Sequence, residues 1–223
     1  MSGRYIINEK ITEYIDGIYN PPDALIGELR TEAEEKGIPV ILRDTERFMI
    51  TLIRMLRPSR ILEIGTAIGY SSICFSKAAG ADTEIVTLER EDYLASQAET
   101  YIKKLGYDKQ ITVVRGDARE SLLNIDGIFD LVFIDAAKSH YGNFWDLCLP
   151  HCKSGSIIVC DNVLLRGSVT DEGYDSSPRK HHTSIKRMRL FLERITTDPS
   201  VETVIMTVGD GLSVSYLKAV DHE

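Results

Sequence analysis

Arg60-Ile61-Leu62-Glu63-Ile64-Gly65-Thr66-Ala67-Ile68-Gly69-Tyr70-Ser71 is the stretch on which the fold turns. A short aliphatic run, residues 60–64, stops at a glycine, a second glycine follows four positions later, and a helical pattern begins. Strand, glycine turn and helix together form the opening unit of a parallel α/β sheet. Downstream the alternation repeats, with strands expected at 84–88, 110–114, 129–134 and 155–160. The clearest intervening helix is 91–105, where Leu94, Ala98, Tyr101, Ile102 and Leu105 form one stripe and Gly106 is the stop. Short apolar strands between helices imply a sheet covered on both faces, and right-handed crossovers make it doubly wound. Residues 201–208 and 212–219 read as two strands around Gly209-Asp210-Gly211, a tight hairpin that ends the sheet with an antiparallel strand. Upstream of residue 60 the pattern is helical. Ile6, Ile7, Ile11, Tyr14, Ile15 and Ile18 are spaced for a helix over 4–19, which Pro21-Pro22 breaks. Asp23 caps a second helix ending near Gly37, and Asp44 or Thr45 caps a third that runs to Pro58. Residues 1–58 are therefore expected to form a helical cap on a core of 59–223, all within one domain.

The composition agrees with such a core. Of 223 residues, 43% are apolar and 27% charged, with 26 Lys and Arg against 34 Asp and Glu, a net charge of −8. That balance disfavours general nucleic-acid binding, which needs positive potential. No apolar run approaches the roughly 20 residues of a membrane span. The first residues carry no signal-peptide pattern, so a cytoplasmic chain is expected. Cys74, Cys148, Cys152 and Cys160 lie in apolar stretches without zinc-site spacing, and are expected to be reduced, buried and small.

In a doubly wound sheet, ligands bind at the carboxyl ends of the strands. Three consecutive strands end in acids there. The first carries Glu63 in Glu-x-Gly-x-x-x-Gly, which is not the spacing of dinucleotide binders. A carboxylate at that place repels a pyrophosphate but suits an ammonium group. S-adenosylmethionine carries an ammonium and a sulfonium and no phosphate. Glu89, 24 residues after Gly65, is placed to receive ribose hydroxyls, and Asp117 an adenine amine. Either acid taken alone also reads as a helix N-cap. The fourth strand ends in Asp135 and the fifth in Asp161-Asn162, two carboxylates and an amide oxygen side by side. An all-oxygen set of this kind favours Mg²⁺, Mn²⁺ or Ca²⁺. Lys138, three residues past Asp135, is a candidate general base, and His140 and Tyr141 are candidates to line the same opening.

With LEIGTAIGYS, FIDAAK, DNVL and VGDGL in place, nearly the whole chain resembles the cation-dependent S-adenosylmethionine O-methyltransferases, which include catechol and caffeoyl-CoA O-methyltransferases. Within that class it is most similar to the bacterial tRNA 5-hydroxyuridine methyltransferases. The resemblance implies a Rossmann-like, doubly wound seven-stranded sheet with its last strand antiparallel. It implies catalytic roles for Lys138 and Asp135, and metal ligation by Asp135, Asp161 and Asn162. Cofactor contacts are implied for Glu63, Gly65, Tyr70 and Ser71 at the methionine part, Glu89 at the ribose, Asp117 and Ala118 at the adenine, and Asp135. Val40, in Ile38-Pro39-Val40, matches the segment that closes over the cofactor. A homodimer is also implied.

Two adjacent oxygens on the substrate would complete the cation's shell. A catechol offers them, and so does 5-hydroxyuridine through its 5-hydroxyl and 4-carbonyl. Residues 179–194 hold six Lys or Arg and one acid, Glu193, a local basic patch that suits the phosphates of a tRNA anticodon loop. The sequence therefore points first to methyl transfer onto the wobble uridine of tRNA. The alternative is a small phenolic acceptor, with the basic segment a solvated helix face. An adenosyl-binding protein without catalysis would not need the Asp135, Asp161 and Asn162 set. A nicotinamide-dependent dehydrogenase is disfavoured by the glycine spacing.

Overall fold

A computed structural model describes residues 9–219. Three helices come first: α1 (Glu9–Ile18), α2 (Ala24–Glu35) and α3 (Arg43–Leu56). The alternating part follows as β1 (Arg60–Ile64), α4 (Tyr70–Ala79), β2 (Glu84–Glu89), α5 (Asp92–Lys104), β3 (Ile111–Arg115), α6 (Ala118–Ser121), β4 (Phe129–Ile134), α7 (Tyr141–Cys148) and β5 (Cys152–Asp161). The chain then forms α8 (Asp171–Ser176), α9 (His182–Thr197), β6 (Val201–Met206) and β7 (Leu212–Leu217). One seven-stranded sheet runs in the order β3-β2-β1-β4-β5-β7-β6. The first five strands are parallel, and β7 is antiparallel to both of its neighbours. Strand order reverses between β1 and β4, so their carboxyl ends part and leave a crevice.

Alternate side chains of the central strands feed two cores. Ile61, Leu131, Phe133 and Val159 pack with α2, α3, α4 and α5 on one face. Leu62, Ile64, Val132, Ile134, Ile158 and Cys160 pack with α6, α7 and α9 on the other. Burial on both faces explains why these strands read as near-continuous apolar runs. The four cysteines are unpaired; Cys74, Cys148 and Cys160 are buried and Cys152 half-buried. Among the described residues no helix is long and apolar enough to cross a membrane.

Most element boundaries follow the sequence reading within a residue or two. The proposed first helix starts at Glu9 among the described residues, and Ile6 and Ile7 lie outside them. Asp23 caps α2, accepting the Leu25 N–H at 3.0 Å. The expected cap of α3 is corrected. Leu42 is the N-cap, and its carbonyl takes the Glu46 N–H at 2.8 Å. Asp44 instead accepts the N–H of Gly209 at 2.7 Å, tying α3 to the final hairpin. The hairpin strands are shorter than expected. β6 stops at Met206, and the Val208 carbonyl accepts the Gly211 N–H at 2.9 Å to close the turn.

Candidate active site

A cleft of about 650 Å³ runs along the carboxyl ends of β1 to β5. The Pro39–Leu42 segment covers one side. The glycine turn forms its floor. Gly65 has φ +107°, and a side chain there would overlap the carbonyl oxygen of Asp135, so only glycine lets β1 end against β4. The N–H groups of Gly65 and Thr66 both donate to the Leu88 carbonyl, at 3.0 and 3.2 Å. Ala67 is left-handed at φ +46°, and its N–H is held by Glu89 Oε2 at 2.8 Å.

Glu63 is fully buried beneath this turn and is not part of the cleft wall. It accepts hydrogen bonds from Ser71 Oγ at 2.5 Å, Thr87 Oγ1 at 2.6 Å and Ser72 Oγ. Of these hydroxyl residues only Ser71 also lines the cleft. Burial pushes the Glu63 carboxyl up to about 7, against the hydroxyl hydrogen bonds and with help from the Asp135 charge. Its folded value lies above the ordinary 4.5, so the stability it contributes is full below that value and is lost as pH rises towards about 7. Glu63→Gln keeps the shape without the charge. Its Tm relative to wild type is expected to improve from about pH 5 to about pH 8. A constant difference across that interval would mean that Glu63 is ionised throughout.

Tyr70 lines the cleft, but its ring is buried and its hydroxyl faces away into a charged network. The Tyr70 hydroxyl donates to Glu46 Oε2 at 2.5 Å and accepts from Arg30 Nε at 3.0 Å. Arg30 Nη2 donates to Glu46 Oε2 at 2.9 Å and to the Ile41 carbonyl at 2.7 Å. One buried guanidinium therefore joins α2, α3, the first turn of α4 and the segment carrying Val40. The sequence reading missed Arg30 and Glu46. Their signal was present: Glu46 stands on the stripe of Met49, Ile50 and Ile53, and Arg30 one turn after Ile26.

At the far end of the cleft, Glu89 spans two backbone N–H groups, Ala67 at 2.8 Å and Glu91 at 2.9 Å. Asp117 adopts the cap reading. It accepts the Arg119 N–H at 2.9 Å, and its carboxylate is also paired with the Arg119 guanidinium at 2.6 and 2.9 Å. That pairing holds the Asp117 carboxyl well below the usual carboxylate range. Asp117 and Ala118 still line the cleft.

The opposite end gathers Asp135, Lys138, Asp161 and Asn162. Lys138 Nζ lies 2.6 Å from Asp135 Oδ1 and 2.6 Å from Asn162 Oδ1, so both oxygens converge on one positive charge. Asp161 is buried; its Oδ1 accepts the Asn162 N–H at 2.7 Å, and Oδ2 has no hydrogen-bond partner among the described residues. Burial, then the Asp135 charge, pushes the Asp161 carboxyl up to about 7. Converging oxygens beside an orphaned buried carboxylate atom fit a hard divalent cation. Asn162 is left-handed at φ +58°, a region asparagine tolerates better than most residues. His140 and Phe144 line this end together, their rings 6.1 Å apart. Tyr141 is corrected: it is buried outside the wall, and its hydroxyl donates to the Asp161 carbonyl at 2.7 Å.

The basic segment lies outside the cleft. Arg179, Lys180, Lys186 and Arg187 are exposed, whereas Arg189 pairs with Asp171 at 3.1 Å and Arg194 with Asp146 at 2.5 Å. Ile185, Met188, Phe191 and Ile195 form the buried face of α9.

The chain is similar to known proteins along nearly its whole length. A catechol O-methyltransferase of Niastella koreensis is 28% identical over 95% of this chain and 98% of its own length. An O-methyltransferase from Bacillus cereus, solved in complex with S-adenosylhomocysteine, superposes with a TM-score of 0.82 at 26% identity, covering 94% of this chain and 97% of that one. A methyltransferase from Podospora anserina, also bound to S-adenosylhomocysteine, superposes with a TM-score of 0.86 at 25% identity over 98% and 100% of the two chains. The O-methyltransferase family signature spans residues 21–218, from the turn before α2 to just past β7, and the chain belongs to that family.

Proposed function

We propose that the chain transfers a methyl group from S-adenosylmethionine to a hydroxyl of a small phenol that bears a second oxygen on the neighbouring carbon. The observation that carries this reading is the continuity of the cleft, which joins the glycine turn to the Asp135, Asp161 and Asn162 oxygens. Likeness to a catechol O-methyltransferase along almost the whole chain supports the phenolic acceptor. Val40, Gly65, Tyr70 and Ser71 would surround the methionine part of the cofactor, with Glu63 acting through Ser71. Glu89 would take the ribose, Asp117 and Ala118 the adenine, and Asp135 would border both cofactor and acceptor. A divalent cation held by Asp135, Asp161 and Asn162, Mg²⁺ foremost, would supply the positive charge that favours an ionised acceptor hydroxyl.

The chain's own work is orientation and exclusion of water. The Pro39–Leu42 segment covers the cofactor, and His140 and Phe144 flank the acceptor ring. The acceptor oxygen attacks the methyl carbon in line, the bond to sulfur breaks, and S-adenosylhomocysteine leaves with the methyl ether. The hydroxyl proton would pass to Lys138 Nζ only in the neutral form of that amine, which has a lone pair to accept it. The 5-hydroxyuridine of a tRNA wobble position offers the same oxygen pair and is the second reading, favoured by exposed Arg179, Lys180, Lys186 and Arg187.

Labelled S-adenosylmethionine, offered with a catechol and separately with tRNA rich in 5-hydroxyuridine, separates the two. Label is expected on the catechol, lost with EDTA and regained with Mg²⁺. Label on tRNA alone would overturn the phenolic reading.

A further inference from the structure

The Gly209-Asp210-Gly211 turn has no part in the reaction described so far, yet Asp210 lines the cleft, as does Arg166. The segment after β5 has an unusual backbone. Asn162, Leu165 and Arg166 are left-handed, with φ of 58°, 50° and 53°, and Gly167 follows at 81°. Leucine and arginine rarely adopt this region, and a run of this kind persists only where its surroundings enforce it. Here the enforcing element is the turn. The Val163 N–H donates to the Gly211 carbonyl and the Leu164 N–H to the Asp210 carbonyl, each at 3.0 Å. The Arg166 N–H donates to the Asp210 carboxylate. A side chain at Gly211 would overlap Leu164, so the fit is close. The turn is itself anchored from behind, where Gly209 donates to Asp44 Oδ2 at 2.7 Å.

We propose that Asp210 is a positioning residue for the acceptor. By holding the backbone from Leu164 to Arg166 it sets Arg166 and Asn162 against the acceptor end of the cleft, without touching the methyl group in transfer. The inference rests on the small-phenol reading only for its choice of acceptor.

The test compares Asp210→Ala with Asp210→Asn, whose amide oxygen still accepts from the Arg166 N–H. The alanine variant is expected to raise KM for catechol by about tenfold to a hundredfold, the cost of a small misplacement. Its affinity for S-adenosylhomocysteine, measured by calorimetry, stays at the wild-type value, and the asparagine variant recovers most of the KM. Trypsin is expected to release a fragment ending at Arg166 from the alanine variant and not from wild type or Asp210→Asn. Should the alanine variant fail to fold, Asp210→Glu, which displaces the carboxylate by one methylene, replaces it. An unchanged KM overturns the proposal. So does an equal loss of both affinities, which marks a general structural defect, or equal behaviour of the alanine and asparagine variants. If wild type does not methylate catechol, the phenolic reading fails, while cleavage at Arg166 still decides whether Asp210 holds the loop.

Discussion

Exchanging Arg30 for methionine is expected to cost about 3–5 kcal/mol of stability, because it strands a buried carboxylate without its cation. Arg30 and Glu46 have side chains only 5% and 4% exposed, so neither is screened by solvent. The loss extends beyond stability. The Ile41 carbonyl and the Tyr70 hydroxyl lose a donor, and with them the Val40 segment and the first turn of α4 lose their common anchor. Cofactor affinity should therefore fall as well. The double variant Arg30→Met with Glu46→Met separates the two effects, since apolar pairs often replace buried ion pairs without loss. Urea unfolding should show most of the stability restored. Titration with S-adenosylhomocysteine should still show weakened binding. Full recovery of affinity in the double variant would mean that the network holds the helices together and leaves the cleft alone.

Asp161→Asn is expected to lower turnover by about 10²–10³-fold, the range for removal of one preorganised electrostatic group. The same substitution should stabilise the free protein above neutral pH. The folded carboxyl titrates near about 7, above its ordinary 3.8, so its ionisation destabilises the fold as pH rises through that interval. An amide escapes that penalty. Divalent-cation affinity should drop in parallel with turnover while S-adenosylhomocysteine affinity holds. A variant that loses turnover and keeps its cation affinity would separate Asp161 from the cation and assign it to the acceptor instead.

The strands and their acidic ends were legible because alternation and burial are local patterns. Glu63, Glu89, Asp117, Asp135 and Asp161 all end up at one edge of the sheet, as the strand ends required. What each carboxylate faces was not legible. Glu63 pairs in register with Thr87 on the neighbouring strand, and that register turns its carboxylate onto a hydroxyl. Asp117 is occupied by Arg119 two residues on, an outcome that a cap and a ligand contact share in sequence. The misplaced cap of α3 has a different origin. Asp44 spends its carboxylate on Gly209, a partner 165 residues away that no window on the chain contains. Arg30 and Glu46 were visible as charges on apolar stripes, but only the packed helices show that they meet.

The strand order also governs how the chain must be assembled. β7, made last, lies inside the sheet between β5 and β6. Until it has emerged from the ribosome, one edge of β5 is open, and β6 has no partner on which to pair. An emerging polypeptide can complete the first five strands and still lack the turn that secures the loop after β5. Such an open edge invites pairing with other chains. Chains cut short within the last strand should therefore appear as aggregates rather than as weakened enzyme.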